Sequence, residues 1–182
     1  MSILELLGFK TEKLATEPAS AETETVRRIV DKLDHLEPDR AAFVASFAYI
    51  LSRVAHADLQ ISEEETRAME RIVMEHGGLP EEQAIIVVQM AKTQSLLFGG
   101  TENYLVTREF DRLASRDQKM ALLDCLFSVS AADSSISTAE DKVIRQIADE
   151  LLLDHSDFIE VRSRFKDHLS VFQTQEPPPN GG

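Results

Sequence analysis

Tryptophan is missing from this 182-residue chain, and cysteine occurs once. A single thiol cannot close an intrachain disulfide, so nothing points to an oxidising compartment, and the expected location is the cytoplasm. Cys125 lies in the apolar run "LLDCLFSV" with no basic neighbour to activate it, the setting of a buried, inert thiol rather than a nucleophile. Glycine (7) and proline (6) are scarce, and three of the prolines stand together near the C-terminus. So few chain breakers favour helix. Basic charge is in deficit too: 19 Lys and Arg against 32 Asp and Glu give a formal net charge of -13. Nucleic acid would be repelled at most approaches, and so would an anionic membrane surface. No stretch reaches the ~18 apolar residues that a spanning helix needs. The opening "MSILELLGFK" lacks the basic leader and small-residue cleavage site of a signal peptide. G-x-S-x-G, G-x-x-x-x-G-K-[ST] and G-x-G-x-x-G do not occur, nor does H-x-x-x-H or a Cys–His pairing in sequence range, so the chain is expected not to be an enzyme.

What is present is the composition of a soluble globular protein, 43% apolar and 28% charged. The length suits one domain with a genuine core. Three segments are expected. Residues 1–24 form an apolar stub (Ile3, Leu4, Leu6, Leu7, Phe9) and the polar linker "TEKLATEPASAETE". The stub either docks on the body or engages a partner. Residues 25–172 form the helical body, and 173–182, "QTQEPPPNGG", a disordered tail.

Within the body the apolar period is helical throughout. Val26, Ile29, Val30, Leu33 and Leu36 make one stripe, and Phe43, Phe47, Ile50, Leu51 and Val54 the core face of a helix over about 39–57. A helix at 63–76 stops at His76-Gly77-Gly78. Pro80 opens another, "AIIVVQMAKTQSLLF", apolar on most sides and therefore expected to be central, with Gly99-Gly100 at its end. Helices at 102–114, 116–132 (capped by Ser115), 138–152 and 155–171 complete the body. The expected fold class is all-α, a single-domain bundle of seven to eight helices.

That bundle is expected to consist of two pseudo-repeated helix-loop-helix units. "HADLQISEEE" (56–65) recurs 75 residues later as "AADSSISTAE" (131–140). The shift aligns Leu51 with Leu126, Asp58 with Asp133, Ile61 with Ile136, Ser62 with Ser137, Glu65 with Glu140 and Ile72 with Ile147. Much of the motif is punctuation. Ser62 with Glu65, and Ser137 with Glu140, are spaced as capping boxes, in which each side chain satisfies the other residue's backbone N–H. Thr66 and Asp141 stand where a hydrophobic staple needs an apolar residue, so Ile61 and Ile136 are expected to plug into the core instead.

Capping leaves the aspartates over. Asp58 and Asp133 fall at helix C-termini, where the macrodipole disfavours a carboxylate by a few tenths of a kcal/mol. Each either folds across the loop to free N–H groups of the next helix, or binds a cation together with Glu65 or Glu140 and loop carbonyls. An all-oxygen set of Asp58, Glu65, Asp133 and Glu140 would suit Ca, Mg or Mn. His56 aligns with Ala131 and cannot serve a role shared by both units.

The doubled junctions resemble the tellurite-resistance TerB-like family, whose halves carry an A-A-D-G-x-I-S-x-x-E pattern. "AHADLQISEEE" and "SAADSSISTAE" match it, and "TENYLVTREF" (101–110) is similar in character. The resemblance covers residues 40–160 and departs from the pattern at Leu59 and Ser134, where glycine is usual. It implies a compact all-α bacterial domain of tellurite-resistance and stress-response clusters, with divalent metal at Asp58, Glu65, Asp133 and Glu140. No J-domain His-Pro-Asp is present. Tellurite is an oxyanion, which a charge of -13 repels, so direct oxyanion binding is not expected. Protein partners are expected, membrane-associated ones among them, and nucleic acid is not. The competing reading is a protein–protein interaction or scaffold module without a metal site.

Overall fold

The computed structural model describes residues 21–54, 63–92, 103–132 and 135–173, and every structural statement refers to these. Among them are eight helices of seven residues or more: α1 (Ala21–Asp34), α2 (Pro38–Val54), α3 (Glu63–Glu75), α4 (Glu81–Lys92), α5 (Asn103–Leu113), α6 (Arg116–Ala131), α7 (Thr138–Glu150) and α8 (His155–Arg164). A 3-10 turn (Lys166–His168) and a four-residue helix, α9 (Ser170–Gln173), close the series. No strand occurs among the described residues, and the chain is all-α. No described helix is long and apolar enough to cross a membrane.

The bundle is organised around α2. Pro38 occupies its first turn, where the missing N–H costs nothing, and Asp39 faces the positive helix end. Beyond that turn nearly every side is buried, because Ala41, Ala42, Ala45 and Ala48 let neighbouring backbones approach between Phe43, Phe47, Ile50 and Leu51. Each of those large side chains contributes ~1.5–3 kcal/mol by leaving water. The neighbours of α2 are α1, α4, α5, α6 and α7. The apolar run of α4 suggested that helix as the centre; it does bury Ala84, Val87, Val88 and Met90, but against α1, α2 and α3 on one side of the bundle. Two aromatic clusters stand in the bundle. Phe110 stacks on Phe43 at 4.9 Å and meets Phe47 edge-on at 6.1 Å, while Phe127 lies 5.9 Å from Phe158 and 5.5 Å from Phe165.

The helix stops follow the punctuation. A Cβ on Gly77 would lie 2.5 Å from the Val73 carbonyl oxygen and 2.8 Å from Phe47 Cζ, so only glycine fits. Gly78 then takes the left-handed φ of 66° that ends α3. The end of α7 is made differently. Leu152 N–H donates to the Asp149 carbonyl (3.1 Å) and Leu153 N–H to that of Ala148 (3.1 Å), the paired bonds of a Schellman motif. The left-handed position there, φ 55°, is held by Leu152, whose side chain is 78% exposed.

Two boundaries differ from the periodicity, and a third lies outside the described residues. Helix α1 begins at Ala21, inside the segment expected as linker. The described part of α4 ends at Lys92, so its expected stop at Gly99-Gly100 lies outside the described residues. The helix expected over 155–171 is broken after Arg164. There Leu169 leaves the helical path to form a parallel bridge with Ile136. Ile136 N–H donates to the His168 carbonyl (2.6 Å), and Ser170 N–H to that of Ile136 (3.0 Å). Both bridge side chains are fully buried, which offsets the lost helix bonds. The apolar stub within 1–20, the first junction at 55–62 and the tail at 174–182 lie outside the described residues.

Candidate functional site

The four residues singled out as cation ligands fare differently. Asp58 and Asp133 lie outside the described residues. Glu65 is placed by its backbone in the first turn of α3, and nothing is described of its side chain. Glu140 is described in full. Ser137, extended at φ -68° and ψ 158°, accepts the Glu140 N–H at 3.2 Å. Glu140 Oε2 in turn accepts the Ser137 N–H (2.8 Å) and hydroxyl (2.6 Å). The Ser-Glu part of the second junction is therefore a capping box, as its spacing requires. Glu140 Oε1 accepts no hydrogen bond among the described residues. Upstream, α6 ends at Ala131 with Ala132 as its cap, and Asp133 is the residue that follows. Downstream, Ile136 is locked by its bridge to Leu169. No group of three or more His, Cys, Asp or Glu that could hold a metal ion is found among the described residues.

Sequence reasoning saw Thr66 and Asp141 only as failed staples. The structure gives each a cation from the third helix of its own half. Lys92 Nζ, at the end of α4, donates to Thr66 Oγ1 at 2.9 Å. Arg162 of α8 grips Asp141 with two parallel bonds, 2.8 and 2.9 Å, which hold its guanidinium above its ordinary pKa. Positive charge thus stands beside the residue that follows Glu65 in α3 and the one that follows Glu140 in α7. Only the shared position of Thr66 and Asp141 in the alignment hinted at this.

Two further side-chain contacts link helices far apart in sequence. Arg53, in the last turn of α2, bonds both oxygens of Glu150 at the end of α7 (2.7 and 3.1 Å) and donates to Thr107 Oγ1 (3.1 Å). Gln146 Nε2 adds a bond to Glu150 Oε1 at 2.9 Å. The paired side chains are only 9% and 14% exposed. Burial pushes the Glu150 carboxyl upward, yet the Arg53 and Thr107 bonds and the Arg53 charge outweigh it and leave it below its ordinary range. The reciprocal contact runs from α6 to α3: Asp124 faces His76 Nδ1 at 2.5 Å and Arg164 Nη1 at 3.2 Å. Asp157, buried at the start of α8, is held by Arg116 and accepts the Asp154 N–H at 3.2 Å.

These pairings limit the chemistry. Arg53, Arg116 and Arg162 each match a carboxylate, which makes them fastenings of the bundle. Cys125 is fully buried, and burial, with the nearby Asp124 charge, pushes its thiol far above the range of a nucleophile. The hydroxyls of Ser46, Ser128 and Ser130 are buried and find no hydrogen-bond partner among the described residues. Beside the second junction, Glu140 keeps one carboxylate oxygen outside the capping box.

Residues 43–163 match the model of a family described as tellurite resistance protein TerB. The matched stretch contains both acidic junctions whole. No curated protein and no solved structure matches the chain.

Proposed function

The chain belongs to the TerB family of tellurite resistance proteins, and from that premise we propose that it serves a bacterial stress response in the cytoplasm as a non-enzymatic domain, holding a divalent cation weakly at its acidic junctions. The observation that carries this reading is the span of the family match, which takes in both copies of the junction. In each copy an aspartate follows one helix and a glutamate stands in the first turn of the next. Asp133 with Glu140, and Asp58 with Glu65, would supply carboxylate oxygens, and the loop carbonyls the rest. Such a set suits Ca, Mg or Mn, with affinity in the ~0.1–1 mM range of sites poor in charged ligands. At the second junction, Glu140 can give Oε1 to a cation while Oε2 continues to cap α7. A chain of net charge -13 draws cations and repels tellurite, so the protection is indirect, through the cation or through a partner.

The test is a titration of Ca, Mg and Mn into the isotope-labelled protein, followed by amide shifts. Saturable shifts are expected at 135–141 and near 58–65, and Asp133→Asn should abolish the former. Glu140→Gln keeps a capping side chain while removing the charge, so it should weaken binding and leave the melting temperature nearly unchanged. If no amide near either junction moves at millimolar metal, the cation reading is wrong.

A further inference from the structure

We propose that residues 1–10 of this chain seat themselves in a groove between α1 and α4. The groove has a volume of about 250 Å³ and is lined by Arg28, Ile29 and Lys32 of α1 and by Ile85 and Ile86 of α4. It lies below the ~300 Å³ of the smallest ordinary small-molecule pockets, so it suits anchoring side chains better than a metabolite. Ile29 and Ile86 are buried, and Ile85 is half-buried.

The occupant follows from where the chain goes. The described residues begin at Ala21, the head of α1, and twenty residues precede it. At ~1.5 Å per helical residue, the groove stretches from ~6 to ~17 Å along α1. The linker, residues 11–20, can span up to ~33 Å, more than enough to turn back and lay the stub alongside. Ile3, Leu6 and Leu7 stand at i, i+3 and i+4, the spacing of a helix that lays one face into a groove. Charge agrees. Arg28, 3.6 Å from Glu24 of its own helix, and Lys32 line the groove and no acid does, which suits the acidic linker residues Glu12 and Glu17 on a chain of net charge -13. Tethering adds the decisive advantage: a short linker gives the stub a local concentration of ~mM, which a free partner in the cell would have to outcompete.

The experiment places a nitroxide at Ser2→Cys in the full chain; Cys125 is fully buried and stays unlabelled in the folded protein. Paramagnetic broadening is expected at the amides of 25–32 and 85–89. It should vanish in Leu6→Asp/Leu7→Asp and, reciprocally, in Ile85→Glu, each checked for unchanged helix content by circular dichroism. Broadening elsewhere, or none, overturns the proposal. So does broadening that appears when the nitroxide-bearing protein is mixed with separately isotope-labelled protein, since a second copy would then be the occupant. Loss of cation-dependent shifts at the junctions would not touch this proposal, and failure of the stub to dock would not touch the cation reading.

Discussion

Two contacts between helices far apart in sequence invite comparison. Helix α2 meets α7 through Arg53 and Glu150, and α6 meets α3 through Asp124 and His76. The first contact is dry, its side chains 9% and 14% exposed, and every group in it is answered by an arginine, a threonine or a glutamine. The second is wet at its edge: Asp124 is 17% exposed, but His76 and Arg164 are 38% and 54% exposed. Desolvation accounts for the difference. The two carboxylates are about equally covered, but Arg53 is enclosed with its partner, whereas His76 and Arg164 keep contact with water, which shares the task of matching Asp124.

The largest effect should come from breaking the dry contact. Arg53→Ala leaves Glu150 buried and uncompensated and is expected to cost about 3–5 kcal/mol in urea unfolding, as removal of one partner of a buried pair does. Replacing both partners together, Arg53→Met with Glu150→Leu, should recover most of that loss. Acid unfolding gives a second reading of the same contact. Glu150 is held below its ordinary value of 4.5 in the folded protein. Its pair therefore stabilises the fold above that value and loses the contribution as pH falls through the lower, folded one. Glu150→Gln should flatten the stability profile on the acid side of pH 4.5. At the wet contact, Asp124→Ala is expected to cost only about 0.5–1 kcal/mol. A loss equal to that of Arg53→Ala would break the comparison.

The smallest effect concerns the turns that follow α3 and α7. Gly78 and Leu152 both sit at left-handed φ, 66° and 55°, and each precedes a buried leucine, Leu79 or Leu153. Glycine enters this conformation freely and leucine does not. Leu152→Gly should therefore stabilise the protein by up to about 1 kcal/mol, read as a rise in melting temperature. A loss of stability would mean that the exposed side chain is held by something the backbone comparison omits.

How much of this could be read beforehand depends on distance along the chain. Helix starts and stops were legible because their causes are local: Pro38, Ser115, Ser137 and Gly77-Gly78 act within a turn of where they stand. Glu140 was legible as a capping residue for the same reason. The partners of Arg53 and His76 were not. Each stands near the C-terminus of its helix, and which carboxylate it meets depends on helix packing. The break after Arg164 was hidden differently. Val161, Phe165 and Leu169 keep the helical spacing of four, and the element that pulls Leu169 aside is Ile136, in a loop on the far side of α7. The central place of α2 rather than α4 likewise rests on which apolar faces find neighbours.

The bridge between Ile136 and Leu169 has a consequence for the C-terminal segment. Any ligand that binds the second junction more tightly when the loop is fastened must, by linkage, fasten the loop in return. Cation binding near Asp133 and Glu140 would then be felt thirty residues away, as slower hydrogen exchange at the Ser170 amide that bonds the Ile136 carbonyl. The strength of the cation site would also become adjustable from the chain's far end. Whatever peels residues 168–170 away, whether a protease cut or a bound partner, would loosen the junction and weaken any ligand linked to it.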